Sequence, residues 1–152
     1  SEETSPSRRE IMRTTILPRV AVYTVLKCRG LDAEKLMETY LREVQGPAMR
    51  DKYAGLEWIP RFFEVFRWAF RKATVSNDAW DSTFAEEPGS FDLTIHKCLW
   101  YDTCAVCGCP EACRFFCECD NYSFGELKKV AFRRTRTLGT GGDCCDFHFH
   151  KK

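Results

Sequence analysis

Residues 91–98 read FDLTIHKC, and within them Phe91-Asp92-Leu93-Thr94-Ile95-His96 alternates strictly between apolar and polar side chains. A period of two puts Phe91, Leu93 and Ile95 on one face of a strand and their polar neighbours on the other. The chain before this stretch has a different period. From Arg9 to Lys27 apolar residues return at Ile11, Ile16, Leu17, Val20, Tyr23, Val25 and Leu26, a helical stripe. Pro18 is expected to kink or divide it, and Cys28-Arg29-Gly30 to end it. A second helix starts at Asp32 as N-cap and runs through Leu36, Met37, Tyr40, Leu41 and Val44 until Gly46-Pro47 stops it. Pro60 stands where a first helical residue would, ahead of RFFEVFRWAFRKA. Phe62, Phe66 and Phe70 share one face of that third helix, with Phe63 alongside. Core packing is the plain reading of these rings, a pocket wall the sharper one.

After the strand the pattern changes again. Val130 to Leu138 and Asp143 to His150 are two further candidate strands, and Gly139-Thr140-Gly141-Gly142 suits the hairpin turn between them. Residues 76–90 are polar, broken by Pro88-Gly89, and read as a loop. Three helices, a strand, a Cys-rich helical insert and a hairpin predict an α+β fold, with N-terminal helices packed on a small antiparallel β-sheet. The expectation is a single domain over 1–152, helical in 1–75, with a β and Cys-rich part in 91–150.

Charge excludes some functions. The net charge is +1, with 14 basic and 14 acidic side chains in residues 1–90. Neither half of the chain is a polyanion binder, which argues against nucleic acid as partner. No apolar run approaches the roughly 20 residues that span a bilayer, so no membrane partner is expected. The start, SEETSPSRRE, lacks the apolar core of a secretory signal, and a cytoplasmic location is the expectation. The chain opens on Ser1, and a removed leader would reverse that argument. The oligomeric state is open.

Nine of the ten cysteines lie between Cys98 and Cys145. Cys109-Pro110 resembles a helix start, and a helix running on to Asp120 puts Cys113, Cys117 and Asp120 on one face, with Cys119 elsewhere. In the last strand Cys145, Phe147 and Phe149 share the apolar, inward face, opposite Cys144, Asp146, His148 and His150. Three chemistries could use these thiols. Cys104 and Cys107 have the spacing of zinc or iron–sulfur ligands, but no second matched pair follows. A disulfide framework would require an oxidising compartment. Thiol catalysis would need a cysteine beside a carboxylate and a base, and an inward Cys145 opposite Cys117 and Asp120 suits it. His96, two residues from Cys98, is a candidate base or orienter and equally a structural histidine. Arg134 and Arg136 share a face with Phe132 and Leu138, which a carboxylate-bearing substrate would explain.

FDLTIHKCLWYD, FFCECD and FRRTRTLGTGGDCCDFHF, in that order, resemble the C-terminal half of the L-2-amino-thiazoline-4-carboxylic acid hydrolase family. The matching positions are Cys98 with Tyr101, Cys117 with Asp120, the run from Arg134 through Thr137 and Leu138 to Gly141, and Cys145-Asp146-Phe147. The resemblance covers roughly residues 91–150. It implies a small hydrolase that opens a carboxylated cyclic amidine such as a 2-aminothiazoline carboxylate to a carbamoyl derivative of cysteine, with a small-molecule substrate and no cofactor or metal. Cys117, Asp120, Cys145 and His96 are then the candidate catalytic residues. Cys98, Tyr101, Arg134, Thr137, Asp146 and Phe147 are the candidate substrate-binding residues. A cysteine thiolate could attack the amidine carbon while Asp120 or His96 protonates the leaving atom. Alternatively, Asp120 could activate water directly, the cysteines only shaping the pocket. The chain departs from the family pattern in its additional Cys104, Cys107, Cys109, Cys113 and Cys119, and it is shorter than the namesake is expected to be. A related lyase or cyclase, or a metal-binding or redox-sensing module built on the insert, are the competing readings.

Overall fold

The computed structural model describes residues 5–152. Its first helical stretch comprises α1 (Pro6–Ile11), a π-turn (Met12–Ile16) and α2 (Leu17–Cys28). The turn answers Pro18, which has no N–H to donate and whose ring would crowd the carbonyl four residues back; one widened turn absorbs both defects. The same device recurs in α3 (Ala33–Tyr40), a π-turn (Leu41–Gln45) and α4 (Gly46–Ala54). Gly46-Pro47 was expected to stop this helix and instead continues it, the π-turn again preceding the proline. Asp32 caps α3 as expected, accepting from the Lys35 N–H at 3.1 Å.

Helix α5 (Phe62–Val75) starts two residues later than Pro60 suggests, because Arg61 takes a left-handed conformation with φ of 55°. The loop expected over residues 76–90 is a second correction. It holds β1 (Trp80–Glu87), which turns at Pro88-Gly89 and pairs antiparallel with β2 (Ser90–Cys98). Only Trp80, Phe84 and Ala85 of β1 are apolar, as suits an edge strand that shows one side to water and blunts its free edge with acids.

Helix α6 (Leu99–Val106) leaves β2 directly, and a short 3₁₀ turn (Pro110–Ala112) leads into α7 (Cys113–Phe124). Strands β3 (Val130–Arg133) and β4 (Cys145–Lys151) complete an antiparallel sheet of order β1-β2-β4-β3. The structure is α+β, with helices packed on that sheet. No described helix is long and apolar enough to cross a membrane.

Two cores meet along α7. One is aromatic and lies on the sheet, where Phe149 stacks on Phe91 at 4.7 Å and meets Phe70 of α5 edge-on at 4.9 Å. The aromatic face of α5 is therefore core. The other core packs α2 and α6 against the start of α7 and includes Cys104, Cys109 and Cys113. Cys98 and Cys145 belong to the first core and Cys117 packs against the second, so the motif thiols line the seam.

Candidate active site

Val130–Leu138 was expected to be one strand, but β3 ends at Arg133 and the reason lies in a single carboxylate. Asp146 of β4 accepts the backbone N–H of Thr135 at 2.9 Å and of Arg136 at 2.8 Å, and also the Thr135 hydroxyl. A side chain thus takes the donors a sheet ladder would have used. The freed segment is a long connection, not the tight glycine hairpin expected from Gly139–Gly142. It lays Thr137 and a 3₁₀ turn (Leu138–Thr140) against α7. Burial opposes the charge on Asp146, but hydrogen bonds from Thr135, the Arg136 and Thr135 amides and His148 outweigh it and hold its pKa at about 2.

Arg134 is turned inward by this segment. Its guanidinium donates to Asp120 at 2.8 Å and to the Cys117 carbonyl at 2.9 Å, and lies over the Phe147 ring at 5.4 Å. The Arg134 side chain is 5 % exposed and the Asp120 side chain 32 %, so Asp120 is the more exposed member of the pair. Burial raises the Asp120 carboxyl to about 6 despite the opposing guanidinium.

Cys117, one turn before Asp120, is pulled the other way. A hydrogen bond from Cys113 lowers its pKa, burial opposes, and Arg134 and the Thr137 hydroxyl reinforce the lowering, while Asp120 works against it. The neighbouring thiols contrast with it. Burial pushes Cys145 up to about 12, though its sulfur accepts the Leu138 N–H at 3.3 Å. Burial likewise raises Cys98 to about 11, against the amides of Tyr101 and Trp100. One thiol among these motif residues is thus set apart as the readier thiolate, next to a carboxyl poised to hold a proton. The L-2-amino-thiazoline-4-carboxylic acid hydrolase family matches this chain over residues 8–149. The chain belongs to that family.

The protein is accordingly a hydrolase of the L-2-amino-thiazoline-4-carboxylic acid hydrolase type, with a small-molecule substrate. The match takes in the helical half as well as the stretch 91–150 that carries the motifs. No curated protein matches the chain.

Not every candidate of this hydrolase joins the seam. Cys117, Asp120, Arg134 and Thr137 come together around the middle of α7, with Cys98 and Cys145 charged neighbours of Cys117 when ionised. Tyr101 is half-buried in α6 and reaches the group through its amide, which donates to Cys98. Phe147 is buried core beneath Arg134, and Asp146 anchors the connection. His96 stands apart: it is exposed beside Thr83 of β1, whose hydroxyl lies 3.2 Å from its Nε2. The strand's alternation sends it outward, while Cys98, at the strand end where α6 begins, turns into the seam. All ten cysteines carry free thiols, Cys28 and Cys107 being exposed. Among the described residues no group of three or more His, Cys, Asp or Glu side chains is arranged to hold a metal ion.

Gly139 is a site residue that its sequence context disguises. A Cβ there would sit 2.9 Å from the Cys117 sulfur and 3.3 Å from the Cys113 sulfur, so only glycine lets the connection pass this close. Its place in the glycine-rich run made it look like turn chemistry. Gly139→Ala is expected to cost about 1–3 kcal/mol through overpacking against the two sulfurs. The urea midpoint measures it, and an unchanged midpoint would mean that the thiols give way freely.

Proposed function

We propose that this hydrolase opens a carboxylated cyclic amidine, such as 2-amino-thiazoline-4-carboxylate, through a covalent intermediate on Cys117. The observation that carries the reading is the opposite setting of two neighbours on α7: a thiol lowered at Cys117 and a carboxyl raised to about 6 at Asp120. Such a split within one site is what assigns nucleophile and acid.

The Cys117 sulfur attacks the amidine carbon, and its electron pair forms a C–S bond to the enzyme. Collapse of the tetrahedral species breaks the ring bond to sulfur, and the Asp120 carboxyl gives that sulfur its proton. Asp120, now a carboxylate paired with Arg134, takes a proton from water as the water oxygen adds to the same carbon. Loss of the Cys117 thiolate releases the carbamoyl amino acid, and the net change is addition of one water. Arg134 commits its guanidinium to Asp120 and the Cys117 carbonyl, so in this reading it orients the acid and does not clamp the substrate carboxylate. Cys145, thiol-bound at about 12, and Cys98, at about 11, shape the wall.

The dependence on pH follows from the two groups. A thiolate is required, so kcat/KM rises with pH on the acid side. A protonated Asp120 is also required, so kcat/KM bends downward from that rising line at about pH 6, the pKa of Asp120. Asp120→Asn is expected to abolish this bend and leave a slow rate that simply follows the thiolate. A wild-type profile with no inflection near pH 6 would remove Asp120 from the role of acid.

A further inference from the structure

The outward face of the sheet carries a histidine that lies outside the matched family positions and takes no part in the reaction as written. His148 of β4 stands opposite Asp92 of β2 in the register, and Thr94, next on that face, stands opposite Asp146. The His148 ring lies between the two carboxylates, its Nδ1 2.8 Å from Asp92 Oδ1 and its Nε2 3.4 Å from Asp146 Oδ2. An ionised carboxylate only accepts, so the contact is complete with a proton on each ring nitrogen. Asp92 fixes the ring plane and aims Nε2 at Asp146. Asp146 in turn holds the Thr135 and Arg136 amides with Oδ1, while its Oδ2 takes the Thr135 hydroxyl and faces the ring. Thr135 follows Arg134 directly, and Arg133, which precedes it, pairs with His148 in the β3–β4 ladder. Strand β4 therefore grips Arg134 from both flanks, where it leaves the sheet for Asp120 and the Cys117 carbonyl.

We propose that His148, oriented by Asp92, is a positioning residue that fixes Asp146 and so holds the Arg134 guanidinium on Asp120. The inference deepens the reading of Asp120 as the acid, because that ion pair helps set where the carboxyl titrates. The two amides secure one oxygen of Asp146. The Thr135 hydroxyl on the other oxygen can turn, whereas the imidazole is braced by a second carboxylate. Arg136, the other cation near Asp146, lies 3.9 Å away and is shared with Asp143, so it does not replace the ring. Without the ring Asp146 gives ground, the guanidinium loosens, and Asp120 loses part of the cation that lowers its pKa. The other groups that interact with Asp120 stay the same: Glu118 and Cys117 on its own helix and Tyr53 of α4.

The test is an NMR titration of the isotope-labelled Asp120 carboxyl carbon in the full-length chain without substrate. The wild-type midpoint is expected at about 6. His148→Ala is expected to raise it by about half a unit or more, a gain of about threefold in proton affinity. His148→Gln removes the ring charge but keeps an N–H aimed at Asp146, and is expected to stay within about 0.2 unit of wild type. Asp92→Ala is expected to shift the midpoint upward by about half as much as His148→Ala. The His148 and Asp92 side chains are 26 % and 51 % exposed, so these variants should fold. A His148→Ala midpoint equal to wild type overturns the proposal. So does a His148→Gln midpoint raised as far as that of His148→Ala, which would assign the effect to lost charge or bulk. The carboxyl titrates whether or not it serves as the acid. A raised midpoint with no matching move of the bend in kcat/KM would therefore support the positioning role and remove the acid assignment.

Discussion

Cys117→Ser is expected to lower ring opening of 2-amino-thiazoline-4-carboxylate by about a thousandfold or more, because an unactivated hydroxyl has neither the ionisation nor the nucleophilicity of the thiolate. The fold should survive, since the exchange is nearly isosteric and the side chain is only partly buried. Cys145→Ser provides the contrast. Its thiol is held at about 12 and accepts an amide of the Thr137–Gly141 connection, so the serine variant should lose stability and a modest part of its rate, within about tenfold. Steady-state kcat together with a denaturation curve separates the two. Equal, near-complete losses with unchanged stability would show that Cys145 shares the chemistry, and full activity of Cys117→Ser would end the nucleophile assignment.

The second large effect is expected at Arg134. Arg134→Met keeps the stacking volume over Phe147 but leaves Asp120 without its cation and the Cys117 carbonyl without its donor. Removing one partner of a buried pair costs about 3–5 kcal/mol when the other must stay charged, but Asp120, with a carboxyl at about 6, can take up a proton instead, which limits the loss to about 1–2 kcal/mol at pH 7. The sign with pH follows from the raised carboxyl. A group whose folded pKa lies above its unfolded one favours the folded state below the unfolded value, and that contribution is lost as pH rises through the folded value. The Arg134→Met defect should therefore be largest above about pH 6 and shrink toward pH 4, as Asp120 takes up its proton. Adding Asp120→Asn should recover most of the loss. A defect that stays constant from pH 7 to pH 4, measured by urea unfolding, would point to packing alone.

Some of this arrangement is legible in the chain itself. The strict alternation of residues 91–96 and the apolar face Cys145, Phe147, Phe149 place β2 and β4, and the i, i+4, i+7 spacing puts Cys113, Cys117 and Asp120 on one side of α7. Each is a local periodicity that burial enforces. What is not legible depends on partners far along the chain. Strand β1 is an edge whose exposed side is polar, so its sequence looks like a loop until β2 pairs with it. Strand β3 ends at Arg133 because Asp146, more than ten residues on, captures the amides that would have extended it. Gly46-Pro47 fails to stop its helix because the π-turn before it supplies the room, and Gly46 itself touches the Tyr122 ring, where a Cβ would lie 2.5 Å from the ring edge. Cys113 has a readable spacing, but its place in one core with Cys104 is set by how α6 packs on α7, which no local pattern encodes.

The central claim is the covalent step on Cys117, and mass spectrometry of enzyme acid-quenched during turnover tests it most directly. The account predicts a population heavier by one substrate mass, with the addition mapped to the peptide that carries Cys117 and absent from Cys117→Ser. Turnover with no adduct on any cysteine, or an adduct confined to Cys145, would contradict it.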